Sequence, residues 1–143
     1  MIAPFLLLIG AAFSAVPVAE YDAVRAALAA DNAPAAAAAA TTLAADATLD
    51  PLMLAPARAV AAATDIVVMR VAFAELSRTA ILALGLTPAE KVQVYKCPMA
   101  PNYQYWMQAK AGLANPYFGK SMLTCGEGVA IKVAYQAALA ANK

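Results

Sequence analysis

Residues 64–85, TDIVVMRVAFAELSRTAILALG, carry the strongest periodic pattern in the chain. Thr64 is a candidate N-cap for a helix here, and Gly85 is a candidate terminator. Apolar side chains recur in steps of three and four, which places them on one helical face: Ile66, Met69, Phe73, Leu76, Ala80 and Leu84. The pattern predicts a long amphipathic helix that anchors the core of the protein.

The alanine-rich region before this helix predicts three more helices. Alanine has the highest helix propensity, so low complexity here favours helix over disorder. The predicted segments are residues 19–32, residues 34–50 and a shorter helix at about Leu54–Ala63, with Pro56 in its first turn. The sequence therefore predicts a mostly α fold, a bundle of about four helices.

Two short segments near the end of the chain alternate apolar and polar residues, a period of two that is typical of β-strands. They are residues 90–97, EKVQVYKC, and residues 128–135, GVAIKVAY, after which a helical pattern resumes. Antiparallel pairing of these segments would bring Cys97 and Cys125 to the same open end of a two-stranded ribbon. We therefore expect a cysteine-bearing loop region on the bundle, with such a short ribbon as an option.

The chain opens with an uncharged apolar run, residues 2–15, IAPFLLLIGAAFSA. A membrane span needs about 20 such residues, whereas a run of this length is typical of a signal-peptide core. We predict a signal peptide over residues 1–15 and a single helical domain over residues 16–143. The mature protein would be exported and periplasmic, with no membrane span. The alternatives are an uncleaved anchor and a start codon placed too early.

Charge is distributed unevenly, although the net charge is only +1. Residues 1–90 carry four Arg against eight acidic residues, and residues 91–143 carry six Lys against one. The lysines are scattered and no arginine cluster accompanies them, so we expect a solvated surface and no nucleic-acid partner. The GKS at residues 119–121 resembles the end of a phosphate loop, but Ala114 stands where the first glycine belongs, so no nucleotide is expected.

Both cysteines and the single tryptophan lie within residues 95–128, YKCPMAPNYQYWMQAKAGLANPYFGKSMLTCGEG. An exported protein with an even number of cysteines is expected to form disulfides, which predicts a Cys97–Cys125 bond. In the chain-entropy treatment, closing this loop stabilises the fold by ~3 kcal/mol. The disulfide is the first of two competing interpretations of this region.

The second interpretation is a soft-metal site formed by the same region with reduced thiols. Thiolates and thioethers select monovalent copper or silver over zinc, calcium or magnesium. The candidate ligands for Cu(I) or Ag(I) are Cys97, Met99, Met122 and Cys125, with Trp106 and Met107 as further candidates. A redox-responsive pair that alternates between bonded and reduced states is a third possibility.

Catalysis has little support in this sequence. The chain has no histidine, which removes Ser-His and Cys-His catalysis as well as histidine metal sites. A thiol-based oxidoreductase would be expected to have its cysteines closer together in sequence. We therefore predict a non-enzymatic binding module linked to copper or silver handling or efflux. The alternative is a disulfide-stabilised structural domain, without metal, that docks on another envelope protein.

Four motifs in order, CPM, W-x-Q, NPY-x-G and M-x-x-CG, together with DIVVMRVAFAELS upstream, resemble domain of unknown function 3347, a bacterial exported module. The resemblance covers about residues 20–130. Members of that family occur alone or fused to periplasmic adaptor subunits of copper- and silver-exporting systems. The resemblance implies a metal-related role, with an efflux adaptor reached in trans as the candidate partner.

The motifs mark twelve positions of this chain without assigning their roles: Cys97, Pro98, Met99, Trp106, Gln108, Asn115, Pro116, Tyr117, Gly119, Met122, Cys125 and Gly126. This chain departs from the family pattern at two places. Met107 stands where leucine is expected, which adds a sulfur atom. Gly128 follows Glu127 where the family has an apolar residue.

Overall fold

A computed structural model of the chain describes residues 14–141. The predicted signal peptide therefore lies outside the described residues, apart from its last two positions, Ser14 and Ala15. The described part contains five α-helices and a small antiparallel sheet, which confirms the predicted mostly α class. The helices are α1 (Val18–Ala29), α2 (Ala33–Ala45), α3 (Pro51–Ala62), α4 (Ile66–Leu84) and α5 (Ile131–Ala140). The strands are β1 (Gln93–Lys96), β2 (Tyr105–Gln108) and β3 (Glu127–Gly128), and a 3₁₀ helix spans Gly119–Met122.

Side-chain caps set where three of the helices begin. The side chains of Asn32, Asp50 and Asp65 each accept a hydrogen bond from a backbone N–H in the first turn of α2, α3 and α4. Such a cap satisfies donors that have no partner within the helix. Asp65 rather than the predicted Thr64 caps α4, and Gly85 ends that helix with φ +76° as expected.

Helix α3 begins three residues earlier than the sequence predicts. Pro51 occupies its first turn directly after the Asp50 cap, and a proline there sacrifices no helical hydrogen bond. Pro56 was expected in the first turn but lies inside the helix, where it is buried. The helix therefore tolerates an interior proline, which removes one backbone hydrogen bond, in a segment that packs into the core.

Helix α4 supplies the centre of the hydrophobic core, as its periodicity predicts. Four of its predicted core positions are buried: Met69, Phe73, Leu76 and Ala80. Helices α1, α2, α3 and α4 pack consecutively against one another, and α5 and β2 also pack against α4. The remaining helices contribute small or branched side chains to this core, among them Val24, Leu28, Ala40, Leu43, Val60 and Ala138.

The sheet has the strand order β2-β1-β3, with both neighbours antiparallel to β1. Strand β1 lies within the predicted segment 90–97. The second predicted strand, residues 128–135, is wrong beyond its start. Only Glu127 and Gly128 pair with β1, opposite Lys96 and Tyr95, and the chain becomes helical at Ile131. The longer partner, β2, pairs in the register Gln93 to Gln108 and was not predicted.

The physical reason for this error is that residues 129–140 satisfy two periodicities. Val129, Ile131 and Val133 alternate like a strand, but Ala134 and Ala138 lie one helical turn apart and are both fully buried. Burial of that alanine face in the core, together with the high helix propensity of alanine, favours helix α5. Tertiary packing therefore decides between the two patterns.

The first two described residues, Ser14 and Ala15, are hydrogen-bonded to the segment that precedes α3. Ala15 forms a parallel bridge with Leu49, in which its N–H donates to Thr48 O at 2.7 Å and its carbonyl accepts from Asp50 N at 2.8 Å. Ser14 Oγ also donates to Asp50 Oδ2 at 3.0 Å. Ala15 is the last residue of the predicted signal peptide, so cleavage after it would remove this bridge. Within residues 14–141, no helix is both long and apolar enough to span a membrane.

Candidate functional site

The sheet brings the two cysteines together. Cys97 directly follows β1, and Cys125 lies two residues before β3, whose Glu127 pairs with Lys96. Their Sγ atoms lie 3.4 Å apart, although the residues are 28 positions apart in the chain, and both are free thiols. Cys97 is fully buried and Cys125 is partly exposed. The pair therefore has one protected and one accessible sulfur.

The separation of the sulfur atoms suits two kinds of chemistry. A disulfide bond has an S–S length of about 2.05 Å. Two thiolates that share one metal ion, with metal–sulfur bonds of about 2.3 Å, lie about 3.8 Å apart in tetrahedral geometry and up to about 4.6 Å apart in the linear geometry that two-coordinate Cu(I) and Ag(I) prefer. The observed 3.4 Å falls between these values. Small side-chain rotations would therefore bring the pair to either distance, so the placement alone does not select one chemistry.

A tight turn presents Met99 beside Cys97. Ala100 N donates to Cys97 O at 3.2 Å, and Cys97 N donates to Gln104 O at 2.9 Å. The Gln104 side chain donates to both Pro98 O and Ala100 O at 3.0 Å, which braces the turn from outside. Met99 lies at the tip of this turn and is 63% exposed. Its thioether therefore stands next to the pair in sequence but faces solvent.

A second turn, residues 122–125, ends at Cys125, and we call it the cysteine turn. Cys125 N donates to Met122 O at 3.0 Å. The buried Asn115 donates from Nδ2 to Cys125 O at 2.9 Å and accepts from Tyr117 N at 2.8 Å. One amide thus fixes both the NPY turn and the cysteine turn. Met122 takes part through its carbonyl, and its side chain is only partly buried.

Gly126 allows the cysteine turn to lie directly on the sheet. It has φ +141°, and a Cβ at this position would lie 2.8 Å from Lys96 O and 3.2 Å from the Trp106 ring. No side chain fits there without movement of the strand backbone. The glycine after Cys125 is therefore required by close approach, which gives a physical reason for the CG in the motif.

Trp106 forms the wall behind the cysteine turn. Its ring is fully buried, stacks on Tyr95 at 5.7 Å and meets Tyr117 edge-on at 5.7 Å. Its Nε1 donates to Gln108 Oε1 at 3.1 Å. Gln108 in turn accepts from Ala114 N and donates to the carbonyls of residues 110 and 112. Trp106 and Gln108 therefore position the loop, and the tryptophan ring is enclosed by other aromatic rings.

The six predicted ligands do not converge as one set. Met107 is fully buried one residue after Trp106 in β2, and its N–H donates to the hydroxyl of Tyr21 at 3.4 Å. Adjacent strand residues point to opposite faces, so Met107 and Trp106 lie on different sides of the sheet. Cys97 and Cys125 are in direct contact, whereas Met99 is exposed at the tip of its turn. Within the part of the chain that the structure describes, no cluster of three or more His, Cys, Asp or Glu side chains could hold a metal ion.

The surroundings of Cys125 favour its protonated thiol. The hydrogen bond with Cys97 raises the pKa of the Cys125 thiol, and burial and the charge of Cys97 raise it further. A higher pKa means less thiolate at neutral pH. A metal ion would have to displace this proton, so metal affinity at the pair should increase as pH rises.

Sequence reasoning assigned no role to several residues that hold the site. Asn115 and Gln108 stand in the recognised motifs, but only the structure shows which backbone groups they bond. Gln104 belongs to none of the motifs, so the sequence did not predict that its side chain braces the Cys97 turn. Strand β2 lies at the edge of the sheet. On its unpaired side the Tyr21 hydroxyl accepts a hydrogen bond from Met107 N, and the Tyr117 hydroxyl donates one to Tyr105 O. No pattern in the sequence predicts these two bonds.

Comparisons with protein-family profiles, with curated proteins and with solved structures return no match for this chain. The resemblance to domain of unknown function 3347 therefore rests on the motifs quoted above. Those motifs are distant in sequence but neighbours in space, because Trp106, Asn115 and Gly126 all border the loop that carries Cys125.

Proposed function

We propose that this chain is an exported, periplasmic, non-enzymatic module that binds a monovalent soft metal ion, Cu(I) or Ag(I), at Cys97 and Cys125. The observation that carries the proposal is the arrangement of the two sulfur atoms, which lie 3.4 Å apart with Cys97 buried and Cys125 accessible to solvent. Thiolates are the ligands that Cu(I) prefers, and two of them already lie within reach of one ion.

The unequal exposure of the two cysteines supports a site that exchanges its metal. Cys97 is buried against the sheet, while Cys125 is partly exposed. An ion could therefore arrive at Cys125 from solvent and complete its coordination with Cys97. Met99, exposed at the tip of the neighbouring turn, is the candidate third ligand. Met122 stays a candidate by sequence position, whereas the enclosed Trp106 and Met107 are weaker ones.

Export and an efflux adaptor as partner belong to the same proposal. They rest on the apolar run at residues 2–15 and on the resemblance to domain of unknown function 3347. The non-enzymatic assignment rests on the lack of histidine in the sequence, which removes Ser-His and Cys-His catalysis. A module of this kind would deliver an ion to its partner or buffer it.

The metal proposal is tested by titrating the reduced protein with Cu(I) under anaerobic conditions, in competition with a chromophoric Cu(I) chelator. We expect one ion per chain and a loss of affinity of at least about a hundredfold in Cys97→Ser and in Cys125→Ser. Met53→Leu is the matched control, because this buried methionine belongs to the helical core. Equal affinity in the wild type and in both cysteine variants would refute the proposal.

The second candidate is a disulfide-stabilised structural domain that docks on another envelope protein and binds no metal. It is favoured by the burial of Cys97 and by the direct contact between the two cysteine sulfur atoms. Intact mass after alkylation in denaturant without reductant distinguishes the two candidates. A mass two protons below that of the reduced chain, with no alkyl group, supports the disulfide. Two alkyl groups on protein from the periplasm count against it.

A further inference from the structure

The two cysteines differ in how they can be reached from solvent. Cys97 is fully buried, whereas Cys125 is partly exposed on the cysteine turn, where its neighbours Leu123 and Thr124 are exposed as well. Cys125 is therefore the member of the pair that a small molecule in solution can reach. A reaction between the folded protein and such a molecule has to begin there.

Backbone hydrogen bonds anchor both cysteines. Cys97 N donates to Gln104 O at 2.9 Å, in the turn that the Gln104 side chain braces. Asn115 N donates to Leu123 O at 2.8 Å, and Asn115 Nδ2 donates to Cys125 O at 2.9 Å. Because both backbones are held, the sulfur atoms lie 3.4 Å apart without further rearrangement of the fold. Rotation of the side chains is enough to close a bond of about 2.05 Å.

A reactive cysteine beside a second thiol that can resolve its adduct is the usual arrangement of a redox-sensitive pair. Disulfides exchange when a thiolate attacks one of their sulfur atoms, which produces a mixed disulfide and releases a thiol. The chain has two cysteines, so Cys97 is the protein thiol that can resolve a mixed disulfide on Cys125. Its sulfur is already in contact with the sulfur atom that it would attack.

We infer that Cys125 and Cys97 form a reversible thiol–disulfide couple that exchanges with small disulfides of the glutathione type. The Cys125 thiolate attacks one sulfur of the incoming disulfide and bonds to it, and the other half leaves as a thiol. The Cys97 thiolate then attacks Cys125 Sγ and expels the second half as a thiol. In total the protein loses two hydrogen atoms and is oxidised, while the small disulfide is reduced to two thiols.

The reverse reaction also starts at Cys125. A small thiolate attacks the exposed Cys125 sulfur and displaces Cys97 as the leaving group. Because one sulfur of the bond is exposed, we expect the bond to be labile and not a permanent structural link. Once the two sulfur atoms are bonded, neither is a thiolate, so oxidation would close the site to Cu(I). This control of metal binding rests on the proposed function, whereas the exchange itself does not.

The exchange is tested on reduced, metal-free protein mixed with glutathione disulfide, quenched with acid at intervals and weighed by intact mass spectrometry. The wild type should end two protons lighter, with no glutathione attached. Cys97→Ser should retain one glutathione per chain, and it should react at least about twentyfold faster than Cys125→Ser, whose remaining thiol is buried. Equal rates in the two variants, or glutathione retained on most of the wild-type protein, would overturn the inference.

Two further measurements keep the test decisive. Cys97→Ala and Cys125→Ala repeat the comparison if a serine hydroxyl at either position prevents folding, and circular dichroism checks the helical content of all four variants. Oxidised wild-type protein without denaturant should be reduced again by glutathione. Resistance to glutathione in the folded state would identify a permanent structural bond and would contradict the reversible couple.

The control of metal binding has its own test. The Cu(I) competition titration is repeated on oxidised and on reduced wild-type protein, and we expect one ion per reduced chain and none per oxidised chain. Equal Cu(I) binding by the two forms would refute the control. A reduced protein that binds no Cu(I) but still exchanges with glutathione disulfide would refute the proposed function alone, so the two failures are distinguishable.

Discussion

Asp31 occupies the space that a Cβ atom on Gly119 would need. Its carboxylate also accepts from Lys120 N at 3.0 Å and from Arg70 Nη2 at 2.7 Å, while Arg70 donates to Pro116 O. Gly119 has φ +63°, and Asp31 has φ +56°. This contact fastens the end of α1 to the loop that runs from Asn115 to Cys125.

Gly119→Ala should therefore destabilise the fold by about 2 to 4 kcal/mol, because the new methyl group meets Asp31 and Arg70 at a backbone angle that disfavours side chains. Urea unfolding measures the loss. Gly128→Ala is the control, since a Cβ there meets nothing within 4 Å, and it should change stability by less than about 0.5 kcal/mol. Equal effects of the two substitutions would disprove the packing argument.

Asn115→Asp should weaken Cu(I) binding about tenfold, the usual scale for losing a residue that orients a metal ligand. The carboxylate can still accept from Tyr117 N, but it can no longer donate to Cys125 O, so the cysteine turn loses its brace. Asn102→Asp, at an exposed position, adds the same charge and should have no effect. The chelator competition assay compares the three proteins. Unchanged affinity in Asn115→Asp would show that the amide does not position Cys125.

Because of Asp31, the free energy of unfolding should vary with pH in the acidic range. Hydrogen bonds from Arg70 and from Lys120 N lower the pKa of Asp31. The unfolded chain therefore binds this proton more readily, so the stabilisation is complete above the ordinary aspartate pKa of about 3.9 and is lost as pH falls through the lower, folded value.

Asp31→Asn tests this, because asparagine fits the same positive φ without the charge. The variant should be less stable than the wild type at pH 7, and the gap should close toward pH 3, as measured by urea midpoints. Glu90→Gln, at an exposed loop position, changes the net charge equally and should leave a constant difference. A gap between wild type and Asp31→Asn that does not vary with pH would contradict the assignment.

Removal of Cys97 should make Cys125 more reactive. The hydrogen bond with Cys97 is the largest cause that raises the pKa of Cys125, so Cys97→Ala should lower that pKa toward the ordinary thiol value of about 8.5. The alkylation rate of Cys125, followed against pH with a phosphine reductant present, should rise at a lower pH than in the wild type. Met122→Leu keeps both thiols and should behave as the wild type does. Identical pH profiles in wild type and Cys97→Ala would count against the sulfur–sulfur contact.

The helices are predictable because the spacing of their apolar residues and the helix propensity of their residues both favour a helix. In α4, the spacing of Met69, Phe73 and Leu76 identifies the buried face directly. In residues 128–138 the two kinds of evidence disagree. The alternation of apolar and polar residues favours a strand, whereas Ala134 and Ala138, which are one turn apart and buried, favour a helix. Packing against α4 resolves the conflict, which explains why the beginning of α5, residues 131–135, was predicted as part of a strand.

The site was predictable only in part. Antiparallel pairing of the segment before Cys97 with the segment after Cys125 is enough to bring the sulfurs together, and a two-residue β3 achieves it. The position of Met107 depends on β2, whose residues YWMQ are all buried and show no alternation to read. The sequence therefore could not show that Trp106 and Met107 lie on opposite faces of the sheet.

The central claim is that one soft ion binds to Cys97 and Cys125 together. X-ray absorption at the copper edge, on the reduced protein loaded with one equivalent of Cu(I), tests it most directly. We predict a first coordination shell of sulfur atoms that is lost in Cys97→Ser and in Cys125→Ser. A first shell of only nitrogen and oxygen, or a sulfur shell that persists in both variants, would contradict the account.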